Sequence, residues 1–491
     1  MMGRFIAREP RRLVAIVFAI PAIFGLAFVA AGEPGIDQDP PPIAFSSQTI
    51  TALQNPTQLE FGLDGRLYVA ELKGLIYAYT IERDEETGDY SIVDTEVIDL
   101  IQTIPNHNDD GTPYTPESGQ RNVTGMITAG TADNPVLFVT SSDPRIDDPE
   151  ADTNSGILSR LTWTGTEWTK LDLVRSLPRS EHDHLPNGMA LDAVNGILYL
   201  AQGGHTNMGA PSWSFGYLPE YALSAAILSI DLNAIGEQTY DIPTLMGEVF
   251  GGRLGNNQAM IVPDGPVQVH SPGYRNAYDV LLTTAGRLYT FDNDSNEGWG
   301  GLPVNEGPGG TCTNEVNESG SATYHDNFHL ITGPGYYGGH PNPTRANRDN
   351  TFDGQSPIPE GLENPVECQF RIPGDEDGAI ALHDEPTNGL AEYTATNFSG
   401  QMAGNIIVPA RDDKVHRLSL NSDGDEVIEK IELFTGLSGP LGVTAQGDDD
   451  PFPGTLWIGQ FFSGDITVFE PEDFIDPIGR IFHDRFETIE E

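Results

Sequence analysis

Positive charge is scarce in this chain. Its 491 residues carry 25 Lys plus Arg against 73 Asp plus Glu, a formal charge of −48. So few scattered cations cannot build the basic stripe that neutralises a phosphate backbone, so nucleic acid is not expected as a partner. Anionic lipid is repelled for the same reason. Cysteine is equally sparse: Cys312 and Cys368 are the only two, without a CxxC or a zinc-finger spacing. In an exported chain an even pair most simply forms one disulfide, here pinning a long irregular insertion. Strong helical periodicity is also missing, which disfavours a helical bundle.

What is present points to β structure. Hydrophobic residues make up 38% and aromatics 9%, enough for a real core, while 55 Gly and 37 Pro turn the backbone often. At the N-terminus Arg4, Arg8, Arg11 and Arg12 precede a nearly uncharged apolar run, Leu13 to Ala31, ending in the small residues Val29-Ala30-Ala31. This reads as an export signal over residues 1–31, and so as a periplasmic or extracellular protein with no membrane contact after cleavage. The same 19 apolar residues are also just long enough for an uncleaved anchor. A Pro-rich linker (32–45), a β domain (46–470) and a C-terminal tail (471–491) follow.

One short pattern recurs along the β domain: a Gly or Asp turn, then Leu or Ile followed by an aromatic or apolar residue. It occurs at Leu67-Tyr68, Leu137-Phe138, Leu198-Tyr199, Leu288-Tyr289, Ile406-Ile407 and Leu456-Trp457. The turns Asp64-Gly65, Asn195-Gly196 and Ala285-Gly286 suit tight hairpins, because glycine accepts positive φ. Six such hairpins at uneven spacing predict an all-β, six-bladed β-propeller with long loop insertions. The largest insertion, from about Asn293 to Gly389, is expected to lie over one mouth of the ring, where ligands bind.

Glu181-His182-Asp183-His184 precedes one hairpin and Gly203-Gly204-His205-Thr206-Asn207 follows it, so both segments emerge at the same end of one blade. A His beside a carboxylate suits general-base work, since its ordinary pKa lies close to neutrality. His182, His184 and His205 also suit a transition metal, and equally a loop of structural histidines. Trp299, between Gly298 and Gly300, suits either packing in its loop or stacking on a sugar ring.

From about Leu53 to Phe469 the chain resembles the soluble pyrroloquinoline-quinone-dependent glucose, sorbosone and aldose-sugar dehydrogenases, which are six-bladed propellers. The resemblance rests on Asn55-Pro56 with Asp64 to Tyr68, Gly119-Gln120 with Gly125, and Asp183-His184 before Gly188 to Leu191. It continues through Gly273-Tyr274-Arg275-Asn276, Gly335 to Gly338 and Val408-Pro409-Ala410-Arg411. It implies that His184, with Asp183 beside it, removes the proton of a sugar hydroxyl while hydride passes to the quinone. It further implies that Gln120, Arg275, Asn276 and Arg411 contact the quinone, and that calcium is held near Asp292, Asp294 and Asn296. The substrate would then be a small sugar or polysaccharide, with an external electron acceptor. Three features depart from the family pattern: Gly203-Gly204 stands in place of Gly-Asp, Ser438 to Val443 replaces an Arg-x-Arg-Asp element, and one residue is inserted after His184. A non-catalytic propeller that binds carbohydrate or protein, and a calcium-dependent lactonase, are the other readings the sequence leaves open.

Overall fold

The computed structural model describes residues 40–114, 120–251, 257–319, 323, 325–349, 358–371 and 378–474. The export signal, most of the linker and the end of the tail lie outside them. Six sheets form the blades of a β-propeller, antiparallel throughout except for the short edge strand Tyr240–Asp241, which pairs parallel to the outer strand of blade 2. Blade 1 consists of Pro56–Phe61, Leu67–Glu71, Ile76–Arg83 and Tyr90–Ile98. Blade 2 runs from Asn122–Gly130 through Pro135–Ser142 and Gly156–Trp163 to Trp168–Leu177. Blade 3 holds Pro186–Asp192, Ile197–Gln202, Ala226–Asp231 and Val267–Pro272. Blade 4 holds Ala277–Leu282, Leu288–Asp292, Asp326–Ile331 and Ala379–His383. Blade 5 holds Ala391–Tyr393, Asn405–Ala410, Lys414–Leu420 and Val427–Thr435.

Blade 6 closes the ring. Its strands Pro440–Ala445, Leu456–Gln460 and Asp465–Pro471 are completed by Phe45–Ala52 from the start of the domain, paired antiparallel to the last of them. The first and last segments of the propeller are thereby locked together by strand pairing from Phe45 to Ala52, broken once by a register shift between Thr49 and Thr51.

The six recurrent dipeptides each fall in the second strand of one blade, and the core explains why. Six hydrophobic clusters occupy the six seams between neighbouring blades, and successive residues of a strand point to opposite faces. Leu67 packs toward blade 6 and Tyr68 toward blade 2. Leu288 faces blade 3 and Tyr289 blade 5. Leu456 and Trp457 divide in the same way between blades 5 and 1. A strand sandwiched on both faces needs consecutive apolar residues rather than alternation. Each large side chain so buried contributes roughly 1.5–3 kcal/mol. The hairpin glycines Gly65, Gly196 and Gly286 take φ of 79°, 69° and 73°, the left-handed region where a Cβ is strained.

In every blade the first strand begins, and the second ends, at the same end of the ring, called here the upper rim. Over it lie the insertions of blades 3 and 4. The segment between Ile331 and Ala379 leaves the lower end, then climbs the outer strand of blade 3 through Gly335 N–H to His270 O, Gly338 N–H to Pro272 O and His340 N–H to Gly273 O. There Cys368 is disulfide-bonded to Cys312 of the other blade 4 insertion, Cα to Cα 5.5 Å, with both residues fully buried. Among the described residues no helix is long and apolar enough to cross a membrane.

Candidate functional site

His184 and Arg275 immediately precede the first strands of blades 3 and 4, so the ring sets both on the upper rim. The His184 ring is 2% exposed and packs against Phe215, centroid to centroid 4.8 Å. The Arg275 guanidinium carbon lies 5.9 Å from the same Phe215 ring and 5.8 Å from Trp299. Imidazole and guanidinium thus share one aromatic wall.

His184 Nδ1 lies 2.9 Å from the Gly204 carbonyl. A carbonyl only accepts, so Nδ1 carries the proton and Nε2 presents a lone pair. Burial, and then the nearby Arg275 charge, push this imidazole well below its ordinary pKa, against the pull of the Gly204 carbonyl. It is a neutral base. The approach that makes this possible depends on two glycines. A Cβ on Gly203 would stand 2.8 Å from His184 Cβ and 3.0 Å from Asn276 Oδ1, and one on Gly204 would stand 2.7 Å from Glu220 Oε1. Gly204 N–H in turn donates to Arg275 O at 2.7 Å, which ties the two rim segments together. Asp183 is more than half exposed, its carboxylate 3.9 Å from His184 Nε2 and 3.6 Å from His182 Nε2.

Arg275 and Asn276 are held by Asp292, whose two oxygens accept their backbone N–H groups, each at 2.8 Å. Asn207 Oδ1 accepts from Arg275 Nε at 3.2 Å, and from Asn296 N–H at 2.9 Å. Arg275 Nη1 donates to Asn293 O at 3.3 Å, while Nη2 is buried without a partner. Asn187 Nδ2 donates to Asn276 Oδ1 at 3.1 Å. A second guanidinium, Arg179, lies at the start of the turn that leads to His184. It is fully buried, and none of its three nitrogens has a hydrogen-bond partner. Burial lowers it to about 10 despite the neighbouring acids Asp143, Asp152 and Asp183.

Asp294 and Asp326 crowd Asp292. Burial raises all three carboxyls, Asp326 to about 7, and each of the other two adds to the rise at Asp292. Asp294 accepts from Ser295 N–H and Asn327 Nδ2; Asp326 accepts from Asn293, Thr387 and Asp294.

Gln120 and Arg411 also reach the upper rim, but among the described residues no hydrogen bond or ion pair joins either to His184 or Arg275. Gln120 gives its carbonyl to Asn106 Nδ2 at 3.1 Å. Arg411 is exposed, its guanidinium carbon 5.9 Å from the Phe462 ring centre. His182, His184 and His205 do not converge as a metal site: His182 bonds Asp147 at 2.7 Å and packs on Trp299, while His205 is buried against Tyr221. Trp299 itself is half-buried within this aromatic group.

Glu220 and His340 escaped the sequence reading. Glu220 is fully buried and accepts from Thr206 Oγ1 at 2.7 Å, His205 N–H at 2.8 Å, Ser224 Oγ at 2.5 Å and His340 Nε2 at 2.9 Å. Burial works to raise it, but these bonds and the adjacent imidazoles overcome that and hold it at about 2. No short motif announces a contact spanning 120 residues.

No protein-family model matches the chain, and no curated protein does either. Solved structures do. The PQQ domain of pyranose dehydrogenase from Coprinopsis cinerea, in its holo form, is similar at a TM-score of 0.53 and 12% identity, over 87% of this chain and 96% of that one. The calcium structure of a family AA12 carbohydrate-active enzyme from Trichoderma reesei is similar at a TM-score of 0.49 and 12% identity, over 90% and 99%. At such identity the likeness to the pyranose dehydrogenase domain bears on the propeller fold alone.

Proposed function

We propose that this protein is an exported quinone-dependent oxidoreductase that oxidises the hydroxyl of an aldose sugar or a related alcohol and passes electrons to an external acceptor. The observation that carries the reading is His184: its Nδ1 proton is fixed on the Gly204 carbonyl, its Nε2 makes no hydrogen bond, with the exposed Asp183 carboxylate 3.9 Å away, and burial keeps it neutral beside a guanidinium with an unused donor.

Pyrroloquinoline quinone, when bound, supplies the two-electron acceptor that no amino-acid side chain provides. The residues fit such an anion: Arg275 offers a buried Nη2 without a partner, and Arg179 adds a second unpaired cation on the turn to His184. Leaving either guanidinium uncompensated costs several kcal/mol. Calcium takes oxygen donors, and Asp292, Asp294 and Asp326 bring three mutually repelling buried carboxyls to this rim, although Asp292 spends both oxygens on the Arg275 and Asn276 amides and the three do not close to metal-ligand spacing. His184 Nε2 accepts the proton of the substrate hydroxyl, and the developing imidazolium is steadied through Nδ1–H to Gly204. Asp292 and Asn207 hold Arg275 in place, and Phe215 excludes water from one face of the base.

The test reconstitutes the purified protein with the quinone and calcium and follows dye reduction by several sugars. Turnover that His184→Ala abolishes, with quinone binding retained, supports the reading; no quinone binding at micromolar concentration overturns it. The absence of arginines at Ser438 to Val443 favours, as a second reading, a propeller that binds carbohydrate without oxidising it. Glycan binding unchanged by His184→Ala, in a protein that takes up no quinone, would establish that instead.

A further inference from the structure

We propose that His383, Asp412 and His416 form a binding site for a divalent transition metal of the zinc type, at the seam between blades 4 and 5. His383 ends the outer strand of blade 4. Asp412 lies in the turn before the third strand of blade 5, and His416 lies within that strand. Asp412 Oδ2 lies 3.1 Å from His416 Nε2 and 4.0 Å from His383 Nε2. The three ligand atoms all lie within 4.8 Å of one another, and the trio is the only such group of His, Cys, Asp or Glu among the described residues.

Two further observations point to a ligand. His383 is 5% exposed, and its Nε2 is buried with no hydrogen-bond partner. A distance of 4.0 Å to Asp412 is beyond hydrogen-bond reach, so the carboxylate satisfies one imidazole and leaves the other facing it unpaired. The two rings stand 4.4 Å apart, centre to centre, edge to face, so a ligand nitrogen of each lies within reach of the same carboxylate. A tetrahedral zinc with bonds of about 2.0–2.1 Å sets its ligand atoms roughly 3.3 Å apart. Sub-ångström to ångström rotations of His383 and His416 bring the trio to that spacing.

Two imidazoles and one carboxylate are the donor set of zinc and its neighbours rather than of calcium or magnesium, which take oxygen. Three protein ligands leave a fourth position for water. Two lysines border the site: Lys414 Nζ lies 3.6 Å from Asp412 Oδ2 and also pairs with Glu432, and Lys430 Nζ donates to Leu382 O at 3.0 Å. Their charge weakens the expected affinity for a cation. The metal would join blade 4 to blade 5 by coordination, in addition to the apolar packing of that seam and its hydrogen bonds, such as Tyr289 Oη to Gly424 O at 2.8 Å. None of these residues belongs to the proposed redox site, so the two proposals fail independently.

The experiment uses the full chain without a histidine tag, stripped with chelator and titrated with zinc, with cobalt(II) as the spectroscopic probe. Expected are one zinc per chain, an intense visible cobalt spectrum of low-coordinate imidazole type, and affinity at least about tenfold weaker in His383→Gln and in His416→Gln. Substoichiometric uptake, a weak six-coordinate cobalt spectrum, or stoichiometric binding that folded variants leave unchanged would each overturn the proposal. The wild-type spectrum decides the matter even where a variant does not fold.

Discussion

Asp279 gives the sharpest test of how this ring tolerates its own charge. It lies on the innermost strand of blade 4 and reaches across the axis. Gln58 Nε2 of blade 1 donates to its Oδ2 at 3.2 Å, Leu390 N–H beside blade 5 does so at 3.2 Å, and Val280 N–H donates to Oδ1 at 2.9 Å. Burial raises this carboxyl from an ordinary 3.8 to about 7 against those bonds. A carboxyl raised on folding holds its proton to higher pH in the native than in the unfolded chain. Its contribution is therefore lost as pH climbs from about 4 through 7. At about 1.4 kcal/mol per unit, a shift of roughly three units costs about 4 kcal/mol at pH 8, of which about 2.5 kcal/mol develops between pH 5 and 8. Asp279→Asn removes that dependence. It also leaves one acceptor where there were two, a pH-independent loss of about 1–3 kcal/mol, so the slope and not the level is the readout. Glu60, itself raised to about 7, first by burial and in part by Asp279, is relieved in the same direction. Urea unfolding at about pH 5, 6.5 and 8 measures the difference between wild type and variant. Parallel curves across that range would refute the argument.

Two other outcomes follow from packing. Gly203→Ala places a methyl 2.8 Å from His184 Cβ and 3.0 Å from Asn276 Oδ1, which should cost about 1–3 kcal/mol in urea unfolding and displace the proposed base, with any turnover falling in parallel. Replacing Cys312 and Cys368 together by Ser opens a loop of 56 residues; loss of about 4 kcal/mol is expected, read as a drop in denaturant midpoint that reductant reproduces in the wild type.

The propeller was legible because its second strands are squeezed from both sides. Leu67-Tyr68 and its five counterparts send one residue into each neighbouring seam, so the sandwich leaves a local, countable trace. The closing strand Phe45–Ala52 left none, since its half-exposed, polar sequence carries no apolar pair and its partner lies 420 residues away. At the rim, His184 and Arg275 stood out by their motifs, while what positions them did not. Asp292 acts through its oxygens on backbone N–H groups, which any hairpin end with an Asp also offers. Glu220, His340 and Arg179 are isolated residues, and only the insertions climbing over blade 3 bring Glu220 and His340 together. The trio at His383 was hidden in the same way, two ligands from one hairpin and the third from another blade.

Behind the proposed base stands Gly203-Gly204 rather than an acid, and the structure gives that absence a physical sense. A carboxylate on Nδ1 would fix the tautomer but would also stabilise the imidazolium, in a chain whose net charge of −48 already favours protonation. The Gly204 carbonyl fixes the same tautomer with a dipole instead of a charge. Burial and the Arg275 charge then keep Nε2 unprotonated. Of the two nearby acids, Glu220 is spent on His340, Thr206, Ser224 and the His205 amide, while Asp183, 3.9 Å from His184 Nε2, is more than half exposed to water. Negative charge near the base is thus either tied up in hydrogen bonds or in contact with water, and glycine at 203 and 204 is the condition for the close packing behind His184, because a Cβ there would stand 2.8 Å from His184 Cβ or 2.7 Å from Glu220 Oε1.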